Sequence, residues 1–282
     1  MLFNARFYYP VLAIFFVDLG LTLDQYALLN VAWAVSIVLF ELPLGAVSDR
    51  IGRRPLVVAA GALMITEMAV RGFAPTGNVT LLFALFLVNR ILSGLAEAAA
   101  SGADEALAYE SLLEAGRESE WPDVLAKLQR LSAGGFLIAM IVGAAVYDAD
   151  FLSSMLSFVG IDAGLDASTT VRFPVYLTLL LAVGAFAAAL GMTEPGTATA
   201  KGIVNLRDSA QQIRQAGSWI WHTKFVLAVI LFYLVLDSVV RLFLTLNSSY
   251  YRMIGIPAAL FGVLGALFAA IGGCTPTLSR AL

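Results

Sequence analysis

Apolar runs of roughly 20 residues, the length a helix needs to cross the hydrocarbon core of a bilayer, recur along this chain with only short polar breaks between them. Eight stand out, at about 7–23, 26–47, 55–74, 79–101, 126–147, 172–192, 225–246 and 258–275, with edges set to ~2–4 residues. None alternates polar with apolar, and each exceeds the ~10 residues of a transmembrane strand, so period and length both select helices. The chain reads as an all-α membrane protein. Composition agrees, with 60% hydrophobic and 13% charged residues among 282, against roughly 45–50% and 25% in soluble domains.

The formal net charge is −3 and the Lys and Arg form no basic stripe, which speaks against nucleic acid as a partner. Cys274 is the only cysteine and His222 the only histidine. An intrachain disulfide is therefore impossible, and no His/Cys cluster has metal-ligand spacing. The same scarcity argues against an enzyme, which would need a nucleophile or metal with a base. No phosphate-binding G-x-x-x-x-G-K-[S/T] signature is present, so neither a nucleotide nor any other cofactor is expected. His222 reads as an interfacial side chain and Cys274 as a small apolar filler.

Cytoplasmic loops retain positive charge. With the N-terminus inside, the inner breaks collect most of the Lys and Arg, including Arg6, Arg50, Arg53, Arg54, Arg117 and Lys127, while the outer side holds Arg71, Arg172 and Arg252. The outer break at about 148–171 carries Asp148, Asp150, Asp162 and Asp166 with no Lys or Arg. A multi-pass protein of the inner (cytoplasmic) membrane with a cytoplasmic N-terminus follows. The stretch from Phe7 to about Leu23 has no small-residue cleavage site and reads as the first span rather than a signal peptide. A longer polar break divides the chain into a six-span domain over 1–192, a cytoplasmic linker over 193–224 and a two-span segment over 225–282. In the linker, Ile203, Leu206, Ile213 and Trp219 suggest an amphipathic surface helix, with Trp219 and Trp221 at the membrane interface.

The break between the second and third spans reads GAVSDRIGRR from Gly45 to Arg54. It resembles the loop signature of the major facilitator superfamily, G-x-x-x-D-[R/K]-x-G-[R/K]-[R/K], at all six specified positions: Gly45, Asp49, Arg50, Gly52, Arg53 and Arg54. Physically, Gly45 would let two helices approach closely and Gly52 suits a turn with unusual backbone angles. Asp49 can accept hydrogen bonds from arginines or from a helix N-terminus, and the arginines suit anionic headgroups. In the fourth span, Arg90-Ile-Leu-Ser-Gly94 resembles the R-x-x-x-G element of the same superfamily, a position associated there with proton coupling.

An arginine in mid-bilayer is costly and should have a partner. Glu97 and Asp104 follow Arg90 by seven and fourteen residues, which places all three on one face of a continued helix. Glu41 and Glu67 on neighbouring spans are further candidates, and buried carboxylates of this kind can hold a proton near neutral pH. Asp237 and Arg241 are four apart, the spacing of an intrahelical ion pair, open to a cavity role or a structural one. Asn30, Trp33, Asn89 and Tyr176 are candidate substrate contacts, with hydrogen bonding to a neighbouring helix as the competing role for the amides and the phenol. Phe15, Phe16, Phe86 and Phe136 would give the cavity an apolar lining, which favours a lipophilic solute and efflux over sugar uptake. The fifth span lacks the Gly-Pro pair of many superfamily antiporters, which leaves export and import both open.

The resemblance implies a helical bundle of two six-helix halves around a central cavity, working by alternating access. It implies a complete N-terminal half here and about two helices of the C-terminal half, so that the chain is a C-terminally truncated permease. The implied activity is proton-coupled secondary transport of a small solute by a protein that is monomeric at full length. The alternative is a truncated, non-transporting fragment acting as a binding or interaction protein.

Overall fold

The structure, a computed structural model, describes residues 5–162, 164–196, 215 and 218–279, excluding the side chains of 42, 49, 50, 234 and 271–279. The linker residues Ile203, Leu206 and Ile213, the side chains of Asp49 and Arg50, and that of Cys274 lie outside the described residues. Among the described residues there is no strand. The described residues are those of an all-α, multi-pass membrane protein, and among them are six helices long and apolar enough to cross a bilayer.

In chain order the helices are α1 (Leu12–Asp18), α2 (Leu23–Ile51), α3 (Arg53–Phe73), α4 (Val79–Ala100), α5 (Ala103–Glu114), α6 (Trp121–Tyr147), α7 (Ala149–Phe158), α8 (Ala167–Thr170), α9 (Phe173–Leu190), α10 (Lys224–Met253) and α11 (Ala258–Ser279). Helix starts carry recognisable caps. Thr22 and Gln25 form a reciprocal capping box at α2, and Asn78, Asp148 and Asp166 accept from backbone N–H groups at α4, α7 and α8, each satisfying a donor that the helix itself leaves open.

Three expectations about the elements change. The first apolar segment, 7–23, is not one crossing helix. It holds a 3-10 turn at Tyr9–Val11 and the seven-residue α1, roughly 10 Å long at 1.5 Å per residue, because the capping box at Thr22 starts a new helix. The fourth span ends at Ala100, and Gly102 in the left-handed region (φ +67°) starts α5 in a new direction, so Asp104 does not continue the face that carries Arg90. The acidic break at 148–171 is partly helical, holding α7 and α8.

Successive crossings alternate direction, which gives the bundle two ends. One carries the Gly52 turn, α5 and the start of α10; the other carries Asp18, α7, α8 and the end of α10. Helix α3 packs on α4 and α9, α2 packs on α4, and α11 lies along α6. Small residues permit the closest contacts, as is usual where membrane helices meet. At Gly94 an added Cβ would sit 2.6 Å from Ser36 Cβ and 2.8 Å from the Trp33 carbonyl oxygen, and at Gly262 it would overlap the Met140 backbone. Gly45, expected to mark a close approach, has nothing within 4 Å of such an atom; the side chains beyond it leave a small cavity instead.

The core gathers around the aromatic side chains of α1. Phe16 stacks edge-on against Phe86 at 5.0 Å and lies 5.1 Å from Tyr26. Phe15, Phe16 and Phe86 are all fully buried. They are packing residues, not the cavity lining expected of them, because the short α1 sits inside the bundle with its rings turned into α4. In α10, by contrast, large apolar side chains such as Phe225, Phe232, Val235 and Val239 are exposed; this helix packs on α1 and α11.

Candidate functional site

Between α2, α4, α6 and α10 lies a cavity of about 560 Å³, within the range of small-molecule sites. Trp33 and Asn30 from α2, Arg90 from α4, Phe136 and Met140 from α6, and Arg241 and Leu244 from α10 line it, together with Arg6, Tyr8 and Tyr9 from the segment before α1. Trp33, Asn30 and Phe136, all named from the sequence, therefore do share one space. Asn30, partly buried, donates from Nδ2 to the Tyr26 carbonyl at 3.1 Å.

Beside the cavity lies a buried charge network, and its pairing differs from the sequence expectation. Glu67, fully buried, takes Arg71 Nη2 at 3.2 Å and Arg6 Nη1 at 3.6 Å. Arg6 Nη2 also donates to Glu97 Oε2 at 3.2 Å. Arg71 Nη2 donates to Asn89 Oδ1 at 3.0 Å, Asn89 Nδ2 donates to the Glu67 carbonyl at 2.6 Å, and the Arg71 guanidinium lies 4.3 Å from the Tyr8 ring centroid. Glu67 and Glu97, two of the four carboxylates expected for Arg90, thus pair with other arginines. Arg90 itself is 5% exposed and makes no hydrogen bond or ion pair among the described residues; its guanidinium lies 5.2 Å from the Phe16 ring centroid.

Other named residues fall elsewhere. Glu41 is exposed and accepts from Ser101 Oγ at 3.3 Å, beside a cavity of about 160 Å³ that Ser48 and Arg53 also line; it is not a partner of Arg90. Asp104 is exposed and accepts from its neighbour's N–H, at Glu105. Asn89 is fully buried within the charge network and Tyr176 donates from its hydroxyl to the Gly72 carbonyl at 3.1 Å; neither lines the large cavity. Asp237 and Arg241 pair at 2.5 Å, with the Arg241 side chain 66% exposed. His222 is exposed, its Nδ1 2.7 Å from the Ser218 carbonyl oxygen.

The signature loop is a junction. Gly52, at φ +94°, ends α2 and starts α3 within one residue, a backbone state that favours glycine. The Glu194 carboxylate, 141 residues on, accepts from the Arg53 and Arg54 N–H groups at 2.8 and 2.7 Å, a charged cap at the positive end of α3. Arg53 Nε donates to Glu110 Oε1 at 3.0 Å and Arg54 Nη2 to the Leu190 carbonyl at 3.0 Å. Arg53 and Arg54 thus bind protein groups on α5 and α9.

At the opposite end, α1 is tied to α10. Arg252 pairs with Asp18 through both guanidinium nitrogens, and the Tyr147 hydroxyl donates to the same carboxylate. The Ala13 N–H donates to Ser248 Oγ at 3.2 Å and the Tyr26 hydroxyl to the Thr245 carbonyl at 3.3 Å. On the Gly52 side of Arg241 none of the described large apolar side chains of α10 is buried, and Phe225, Val229, Phe232 and Val235 are exposed.

Sequence reasoning missed Arg6, Arg71, Asp18, Tyr147, Arg252 and Glu194. One local signal was available: Glu67 and Arg71 have the same four-residue spacing as Asp237 and Arg241. Arg71 belongs to the outer set of charges and is completely buried. Arg6 was likewise placed in the inner positive set and is 3% exposed. No protein-family model matches the sequence, and no curated protein matches it.

Proposed function

We propose that this chain is a secondary active transporter of the major facilitator type, moving a small solute by alternating access through the central cavity. One observation carries this reading: a ligand-sized cavity lies between the first helices and α10, and α1 is tied to α10 beside it by the Asp18–Arg252 pair. A carrier working by alternating access binds its solute in a central cavity of this kind, between helices of its two halves. In this reading the Gly52 end faces the cytoplasm, in keeping with the Lys and Arg bias. Glu97, paired with Arg6 yet 39% exposed at its side chain, is the carboxylate best placed to exchange a proton during transport. The six matched positions of the Gly45–Arg54 stretch support the family assignment.

The test is flux in proteoliposomes. A trapped pH-sensitive dye reports proton movement on addition of each of a panel of amphipathic solutes. In a Cys274→Ser background, Asp18→Cys with Arg252→Cys is joined by a short bifunctional thiol reagent. Solute-induced proton flux should vanish on cross-linking and return when a cleavable linker is reduced. Flux unchanged by the cross-link, or no flux with any solute, would sink the carrier reading and favour a binding or interaction protein.

A further inference from the structure

We infer that the central cavity binds an amphipathic organic anion, a single carboxylate-type headgroup on an apolar or aromatic body, and that Arg90 receives the headgroup. The inference rests on the transport reading only for the ligand's being a substrate.

Three observations converge. The cavity is lined by three guanidinium groups, Arg6, Arg90 and Arg241, and by no carboxylate. Arg6 and Arg241 are matched by Glu97 and Asp237, which stand behind them. Arg90 is not matched: its buried Nε and Nη2 have no acceptor among the described residues. Of the residues lining the cavity, the only other one with a buried polar atom lacking a partner is Trp33, whose Nε1 is again a donor.

A buried guanidinium without a partner is costly in a membrane. Unpaired donors without unpaired acceptors ask for a ligand that supplies acceptors and negative charge, and an ionised carboxylate is acceptor-only with two oxygens. Charge-assisted hydrogen bonds to arginine are also the strong kind, and the planar fork suits a carboxylate. The remaining wall is apolar and aromatic, with Leu12, Phe136, Met140 and Leu244 prominent. That composition selects against inorganic phosphate or sulfate, which have no body to desolvate, and for an anion with a hydrophobic part.

The test uses the full chain in nanodiscs of phosphatidylcholine, with no gradient. The probes are 2-naphthoate, decanoate, 2-naphthylmethylammonium and inorganic phosphate, read by calorimetry and by tryptophan fluorescence. At least one organic anion should bind saturably, the ammonium and inorganic phosphate should not, and Arg90→Gln should weaken the anion at least about tenfold, the scale expected when one partner of a buried charged hydrogen bond is removed. Arg90→Lys should recover part of the loss, and Trp33→Phe should weaken binding less than Arg90→Gln. Monodispersity and helical content serve as the folding control for each variant.

Equal binding of the ammonium, no binding of either organic anion, or an unchanged dissociation constant in Arg90→Gln would each overturn the inference. Displacement of naphthoate when phosphatidylglycerol replaces part of the lipid would instead assign the site to a lipid headgroup and overturn a soluble ligand. The two readings fail separately. An Arg90-dependent anion site in a chain that supports no flux keeps this inference and removes the carrier. Flux of a neutral or cationic solute without an anion site does the reverse.

Discussion

Replacing Arg71 and Arg90 by methionine, one at a time, should move stability in opposite directions, although both are buried arginines in the same bundle. Arg71 is fully buried and bonded to Glu67 at 3.2 Å and to Asn89 at 3.0 Å. Removing it leaves Glu67 buried with Arg6 at 3.6 Å. Deleting one member of a buried pair costs about 3–5 kcal/mol, and the second arginine holds the loss to the lower end, about 3 kcal/mol. Arg90 has no carboxylate to abandon. Its removal relieves an uncompensated burial penalty of several kcal/mol and forfeits up to about 2 kcal/mol of attraction to the Phe16 ring. A net gain of about 1–3 kcal/mol follows for Arg90→Met.

Thermal unfolding of the purified chain, followed by tryptophan fluorescence in one fixed lipid, measures both variants. At roughly 2–4 °C per kcal/mol, Arg71→Met should melt about 6–12 °C below the parent and Arg90→Met a few degrees above it. Pairing Glu67→Leu with Arg71→Met should recover part of the loss, because no charge is then stranded between them. If Arg90→Met destabilises as much as Arg71→Met, Arg90 has a partner in the folded protein, and the reasoning behind its role in the cavity fails. A residue kept at a cost in stability is what a functional site presents.

Glycines that look alike in the sequence should also part company. Gly94→Ala drives a Cβ to 2.6 Å from Ser36 Cβ and should cost about 1–3 kcal/mol by overpacking, whereas Gly45→Ala, with nothing within 4 Å, should be neutral or gain up to about 1 kcal/mol in helix propensity; melting of the two variants side by side decides it. Glu194→Ala should lose the cap on α3, about 1–2 kcal/mol, and hydrogen exchange at the Arg53 and Arg54 amides should speed up. Exchange unchanged at those two amides would show that Glu194 does not hold the turn.

Which features could be read from the residues alone follows from the range of the interactions involved. The helical, multi-pass character is a matter of local period and segment length, and eleven described helices answer to it. The break at Gly52 is local too, because one residue must leave one helix and start another. So is the Asp237–Arg241 pair, since four residues bring two side chains onto one face. The short α1 also had a local cause, the Thr22–Gln25 capping box, but a run from Phe7 to Leu21 whose one charge is Asp18 outweighs a cap when segments are judged by hydropathy.

What the chain order could not decide was which charge meets which. Glu97 lies on the same helix as Arg90 yet pairs with Arg6, 91 residues away; Glu194 caps a helix 141 residues before it; Arg252 closes on Asp18 across 234 residues. Each carboxylate has several arginines at plausible helical offsets, and electrostatics alone does not choose among them. Packing chooses, through the few places where small residues such as Gly94 and Gly262 let two backbones meet. Those contacts set the depth and rotation of each helix, and so decided that Arg90 alone among the cavity's arginines faces it without a partner carboxylate.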